Sequence, residues 1–410
     1  MNAYITPKYI SMISIFLVLS FLLATKNLSV VIAALTSIIS IAYLVIYRKD
    51  FSWDNTDKLV VACLSAYLIS NIPLTIIDTG NFRYFRGASR LLLCIPIYFF
   101  FKYHLRINEV YFKPMVWGVI VGSLGALSIA CYQFFIEGRP RVDGFLFSIN
   151  FGYLACSLSI LSVALLVYNY HRALLLISLV ASSTALLMTL TRGAIIALPI
   201  TIIFTCILGF KKNGITRVII AGFIITALSI ALYSKVDVIK KRVDFTIYEA
   251  YSILNGDINE APSSGYRLLL WRAAYEAFKE DPLIGLTHPE REELNKNLAE
   301  KGIINDWAAG IQRGHAHSQY FDQLASGGIL GLISILFTLF IPLLYFAKQR
   351  EISKAAYVGC LFVFSFALFC LTEVALQQNL ISTFYGYMLA LFFAATQLEV
   401  KDNMARAEAT

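Results

Sequence analysis

Two histidines and a set of arginines are the residues of this chain best equipped to move protons and hold charge. The stretch from Arg313 to Gly328 is polar, carries His315 and His317, two of only five histidines, and runs straight into the apolar run Ile329–Phe346. Its side chains therefore fall at a membrane–water boundary, where a reactive cluster can meet a lipid. Ser318 to Ser326 reads as a short helix stopped by Gly327-Gly328, with Tyr320, Phe321, Leu324 and Ala325 as its apolar stripe and the histidines at its start.

Three chemistries compete for that pair. A metal site needs further ligands; on a helix the two rings of His-x-His diverge by about 200°, and no acidic or cysteine cluster in the sequence completes the set. A Ser-His-Asp hydrolase is weaker still, because Ser318 adjoins His317 and no Gly-x-Ser-x-Gly elbow occurs. The third reading fits better: one imidazole acts as general base while arginines hold a phosphate or diphosphate leaving group. Against all three stands the plainer reading, in which His317 only caps the helix.

The elements that must position these groups are membrane helices. With 58% hydrophobic and 15% charged residues and a mean hydropathy of +0.69, the chain is no soluble domain. A helix needs about 20 apolar residues to span the hydrocarbon core, and twelve stretches qualify: Tyr9–Ala24, Leu28–Tyr47, Leu59–Ile77, Leu91–Phe101, Met115–Ile136, Phe145–Tyr168, Ala173–Thr191, Gly193–Phe210, Val218–Tyr233, Ile329–Phe346, Ala355–Leu371 and Leu380–Leu398. The fold class is thus all-α and polytopic, with one large helical segment between spans nine and ten. All seven cysteines fall inside spans, so no disulfide framework is implied. The first span has no small-residue cleavage site and reads as an uncleaved helix.

Basic residues orient the chain. With the N-terminus cytoplasmic, sixteen fall in inner segments, among them Arg48, Lys49, Arg106, Lys211 and Arg217, against seven in the short outer loops. Both termini are then cytoplasmic. Residues 1–233 hold spans one to nine, 234–326 form a periplasmic segment carrying Arg267 and His317, 327–398 hold spans ten to twelve, and 399–410 are a cytoplasmic tail.

Six of the seven outer exceptions are arginine: Arg83, Arg86, Arg90, Arg139, Arg141 and Arg192. Arginine suits bidentate, partly desolvated phosphate contacts. Arg192 stands between two apolar runs, where an unpartnered cation costs several kcal/mol. In the outer segment, Lys235 to Arg242 reads as a solvated face. Ser263-Ser264-Gly265 caps a helix over Tyr266 to Phe278, ended by Asp281-Pro282. On that helix Arg267 and Arg272 lie about 140° apart and cannot share one ligand. Pro289 to Lys301 reads as a solvated helix with no chemistry.

Four features together resemble the bacterial O-antigen ligases, within the O-antigen ligase/polymerase superfamily of polytopic glycosyltransferases. They are Arg139-Pro140-Arg141-Val142-Asp143-Gly144, Leu190-Thr191-Arg192-Gly193, Gly265-Tyr266-Arg267 and His315-Ala316-His317-Ser318. The resemblance carries the essential set onto Arg192, Arg267 and His317, with Arg141 in support; asparagine often follows that histidine, and here it is Ser318. It implies transfer of O-antigen polysaccharide from undecaprenyl diphosphate to a sugar hydroxyl of lipid A-core oligosaccharide at the periplasmic face of the inner membrane, inverting and without metal or other cofactor. Arg86, Arg90, Arg139 and His315 join Arg141, Arg192 and Arg267 as substrate contacts, and His315 is expected to point away from the base. The net charge of +8 agrees with anionic lipid substrates in a membrane, and no nucleic acid is implied. An O-antigen polymerase, a protein O-oligosaccharyltransferase and, from another class, a flippase for polyprenyl-linked glycans are the rival readings. A flippase expects mid-bilayer charges and paired broken helices, and the spans hold almost no charges.

Overall fold

The computed structural model describes residues 7–47, 53–105, 111–168, 171–208 and 212–408. Among them the chain is helical and forms no strand. Fifteen principal helices carry the architecture: α1 Pro7–Ser20, α2 Leu28–Ile46, α3 Asn55–Ser70, α4 Ile95–His104, α5 Phe112–Cys131, α6 Ser148–Leu166, α7 Arg172–Met188, α8 Arg192–Ile207, α9 Lys212–Lys235, α10 Asp237–Leu254, α11 Ser264–Glu280, α12 His288–Glu300, α13 Gln319–Ile335, α14 Lys354–Thr372 and α15 Asn379–Glu408. Each of the twelve apolar stretches falls on one of α1–α9 or α13–α15, as expected where lipid leaves backbone groups no partner outside their own helix.

The count of twelve spans does not carry over to length. Among the described residues, seven helices are long and apolar enough to cross a bilayer by themselves, or eight if α9 and α10, bent by 101°, act as one; α1, α7 and α8 are shorter. α15 runs on through the tail to Glu408. Arg48, Lys49, Arg106 and Lys211, used above to orient the chain, lie outside the described residues.

α6 and the apolar stretch of α15 are buried almost throughout and α14 along most of its length, so these three form the centre of the bundle. Burial in lipid gives no hydrophobic force between helices, and small polar residues join them instead. Ser162 meets Ser178 at 2.9 Å, Ser178 donates to Ser123 at 2.9 Å and Ser159 donates to Ser182 at 2.8 Å, tying α5, α6 and α7. α14 begins at Ser353, whose hydroxyl donates to Glu399 at 2.7 Å, and ends beside Glu373. Near that starting end Lys102 bonds the buried Asp57 at 2.7 Å and Asp54 at 3.2 Å. The polar network of the histidines lies at the other end.

There α11 and α12 build a second core from Leu270, Ala273, Ala274, Ala277, Leu294 and Leu298, with Ala316 and Ala325. The helix predicted over Tyr266 to Phe278 is α11, and Trp271 on it stacks on Phe321 of α13 with ring centroids 4.8 Å apart. The predicted stop at Gly327-Gly328 is a break inside α13: Gly328 stands at φ 53°, and the helix resumes into span ten. The freed backbone groups find partners in the loop after α11. Leu286 N–H donates to Ala325 O at 2.8 Å and Ile329 N–H to Pro282 O at 2.8 Å.

One expectation for the outer segment is overturned. α12 is not a solvated helix without a role, because Arg291 on it is 3% exposed. A buried guanidinium requires partners, and Arg291 has three: Asp322 at 3.1 Å, the Ser326 hydroxyl at 2.7 Å and the Gly314 carbonyl.

Candidate active site

His315 and His317 lie in the irregular loop between α12 and α13, and a carboxylate that the sequence did not single out joins them. Glu373, just past the end of α14, meets His315 Nε2 through Oε1 at 2.7 Å and His317 Nδ1 through Oε2 at 2.9 Å. The two rings are 4.6 Å apart and nearly perpendicular. This corrects the expectation that His315 points away. It also corrects the statement that no acidic group completes a ligand set, since the ligand atoms of His315, His317 and Glu373 all lie within 4.8 Å of one another.

The electrostatics fix the proton positions. Burial opposes ionisation of Glu373, yet the two imidazoles outweigh it and hold the carboxyl well below its usual range. For His315, burial works against the cation, but Glu373 and Asp322 prevail and raise its pKa. An ionised carboxylate only accepts, so His315 donates from Nε2–H and His317 from Nδ1–H. His317 Nε2 is then free to take a proton.

The loop geometry is built by surrounding elements. Arg313 and His317 sit at φ 61° and 47°, a region that costs non-glycine residues energy and persists only where the surroundings impose it. Here α11 supplies Trp271 Nε1–H to Ala316 O at 3.1 Å, α12 supplies Arg291 to Gly314 O, and Asp322 of α13 accepts Ala316 N–H at 3.2 Å. Ser318 is buried and donates to Cys370 O at 3.3 Å, so its hydroxyl faces α14.

Arg192 opens α8 and reaches the outer segment. Its guanidinium bonds Glu249 of α10 and the Ser263 hydroxyl, with Thr246 at 3.4 Å. Glu249 is fully buried and accepts Ser263 N–H at 2.6 Å and Ser264 N–H at 3.3 Å, so a glutamate caps α11 while the predicted cap, Ser263, turns to Arg192. Burial would raise the Glu249 pKa, but Arg192 and these N–H groups lower it.

Arg141 donates from Nε to Thr189 O at 2.9 Å. Burial, then the charges of Arg192 and Arg267, lower its pKa, so the three guanidiniums share one field. Arg267, in the first turn of α11, makes no ion pair among the described residues, whereas Arg272 is exposed on another face, as the spacing predicted. Cations at the N-termini of α8 and α11 oppose the helix dipoles. The result is a strongly positive site that an anion would relieve.

Beside it runs an apolar groove of about 240 Å³ with Arg192 and Arg242 among its walls and Leu187, Leu190, Ile195, Ile196, Ile239 and Val243 along it. Arg242 is thus more than part of a solvated face. Glycine joins this site to the histidines: a Cβ on Gly193 would stand 2.2 Å from the Thr372 hydroxyl, so only glycine lets the start of α8 pack on the end of α14. Thr372 also meets Tyr153 at 2.7 Å.

The other arginines predicted as substrate contacts are not in this group. Arg139 is engaged by Glu137 at 2.6 Å and Asp143 at 2.7 Å. Arg90 lies on the short helix Ala88–Leu92, and Arg86, with Arg83, lines a separate cavity. Glu373 and Glu249 were missed although one carried a signal: Glu373 is a lone acid at the edge of an apolar run, the same criterion that drew attention to Arg192.

Residues 177–336 match the family model described as O-antigen ligase, and three of the four motifs lie in that segment. An uncharacterized protein of Haemophilus influenzae is 24% identical over 375 residues, covering 87% of this chain and 90% of the relative. The motifs and the domain match agree: over residues 177–336 this multi-pass membrane protein is similar to the O-antigen ligase family.

Proposed function

We propose that the protein is an O-antigen ligase of the inner membrane, with its active site facing the periplasm. It transfers polysaccharide from undecaprenyl diphosphate to a sugar hydroxyl of lipid A-core oligosaccharide. The observation that carries this reading is the junction at Arg192, where the arginine cluster meets an apolar groove on one side and, through Gly193 and Thr372, the Glu373–histidine group on the other. A polyprenyl chain suits the groove, its diphosphate suits Arg141, Arg192 and Arg267, and the acceptor hydroxyl comes to His317.

In the step itself the acceptor O–H gives its proton to His317 Nε2 while its oxygen bonds the anomeric carbon. The bond from that carbon to the diphosphate oxygen breaks, and the departing charge stays on the arginines. Attack opposite the leaving group inverts the centre. Glu373 orients His317 and stabilises the imidazolium as it forms, a role a carboxylate fills behind a catalytic histidine elsewhere. No step needs a metal.

The lipopolysaccharide profile of a deletion strain tests the reading. Loss of O-antigen from lipid A-core, with polymer accumulating on the polyprenyl carrier, is the expected outcome. A single repeat unit left on the core means a polymerase, an unchanged profile with unglycosylated protein substrates means a protein O-oligosaccharyltransferase, and a carrier glycan trapped on the cytoplasmic side means a flippase.

A further inference from the structure

A second cationic cavity, of about 400 Å³, opens beside the histidine loop and shares no lining residue with the groove at Arg192. Arg83, Arg86 and Arg313 line it, and their guanidiniums make no ion pair or hydrogen bond among the described residues. Two polar side chains in its wall are equally unspent. Asn150 is 5% exposed and its amide has no hydrogen-bond partner among the described residues, and Asn379 Oδ1 is buried without one. Buried amides are ordinarily paired, so these await a ligand.

The acid in the wall does not cancel the charge. Asp322 is taken by Arg291, by Ala316 N–H and by Gln377 Nε2–H at 2.8 Å. His288, stacked on Tyr84 at 4.2 Å, is pushed down to about 4 by burial and adds no charge at neutral pH.

The cavity is also placed to serve the histidines. Arg313 is two residues before His315, and Asp322 bonds the residue between the two histidines. From there Glu373 and Thr372 lead to Gly193 and Arg192. His317 thus stands between two separate cationic sites, and a transfer reaction between two bulky substrates needs two.

We propose that this cavity is the acceptor subsite and takes an anionic saccharide. Phosphate groups on its sugars are held by Arg83, Arg86 and Arg313, and its hydroxyls by Asn150 and Asn379. The role as acceptor rests on the transfer reading above; the binding of an anionic saccharide does not.

The test uses the full chain in phosphatidylcholine nanodiscs and a phosphorylated core oligosaccharide freed of its acyl chains, compared with the same oligosaccharide after phosphatase treatment. The wild type should bind the phosphorylated form at least about tenfold more tightly, since each charge-assisted contact is worth about that factor. Arg83→Gln/Arg86→Gln should erase the preference while binding of polyprenyl diphosphate stays unchanged, and Arg192→Lys should do the reverse. Both substituted arginines are exposed, and a melting temperature equal to wild type checks the fold.

Equal binding of the two oligosaccharides overturns the proposal, as does a double variant that keeps the preference. A double variant that loses polyprenyl diphosphate as well makes the cavity part of the donor site. Inorganic phosphate or phosphatidylglycerol nanodiscs competing as well as the saccharide would reduce it to a general anion or headgroup site. A preserved preference in a protein that transfers nothing leaves the saccharide site standing and refutes the ligase reading alone.

Discussion

Replacing Glu373 with glutamine changes one oxygen to an NH₂ group and almost no volume, so its effect isolates the charge and the proton positions. Glu373 is 5% exposed and accepts from both imidazoles, at 2.7 and 2.9 Å. Glutamine accepts through one atom only and points its NH₂ at one ring, which must then present a bare nitrogen. If that ring is His317, its proton moves to Nε2 and the atom that should take the acceptor proton is blocked. If it is His315, the carboxylate contact that raises its pKa is lost and the loop loosens. Loss of a positioned base lowers rates by about 10²–10⁴, and loss of the carboxylate behind a histidine reaches about 10⁴ in another enzyme class. We therefore expect transfer to fall about 10³-fold, equivalent to about 4 kcal/mol. Folding stability should fall less, by about 2–3 kcal/mol, because two charge-assisted hydrogen bonds become neutral ones and one ring must change its tautomer. The assay is single-turnover transfer of lipid-linked polysaccharide to lipid A-core in nanodiscs, with donor binding measured separately. Turnover within about threefold of wild type, in a folded protein, would refute the assignment of Glu373 and with it the proton positions on His317.

Further outcomes are expected. Arg192→Lys should lose most activity although charge is kept, because the guanidinium bridges Glu249 and Ser263 by a fork that an ammonium lacks, and Arg267→Ala should cost far more than Arg272→Ala; equal rates in an in vitro transfer assay would make Arg192 structural. The raised pKa of His315 stabilises the fold fully below its unfolded value of about 6.5 and is lost as pH rises through the folded value, so the melting temperature of the wild type should fall across that interval more steeply than that of His315→Gln. Activity of both should survive EDTA, and restoration of a chelated enzyme by divalent metal would make His315, His317 and Glu373 a metal site. Gly193→Ala should cost about 1–3 kcal/mol and much of the activity, because the new methyl meets Thr372; a wild-type melting temperature would contradict the close approach. Alkaline phosphatase fused after Lys279 should be active and after Lys401 inactive, and the reverse would invert the topology and the placement of every site residue.

The helices were legible in the sequence because a bilayer leaves the backbone one local solution: apolar stretches of sufficient length become helices, and Gly327-Gly328 breaks one wherever it sits. Arg192 stood out for a related reason, since charge beside apolar sequence requires a purpose, while Arg267 and His317 were singled out by the resemblance of their motifs. What the sequence could not carry is which way side chains turn in irregular segments. The His-x-His spacing separates two rings only on a helix; the left-handed turn at His317, imposed by Trp271, Arg291 and Asp322, brings both to Glu373 from more than fifty residues away. Glu249 capping α11, Arg291 inside a helix of apparently solvated composition, and the separation of Arg83 and Arg86 from Arg141 and Arg192 are decisions of the same kind. Each depends on which helix ends the bundle brings together, and the packing of α8 on α14, permitted by a single glycine at 193, is settled only in three dimensions.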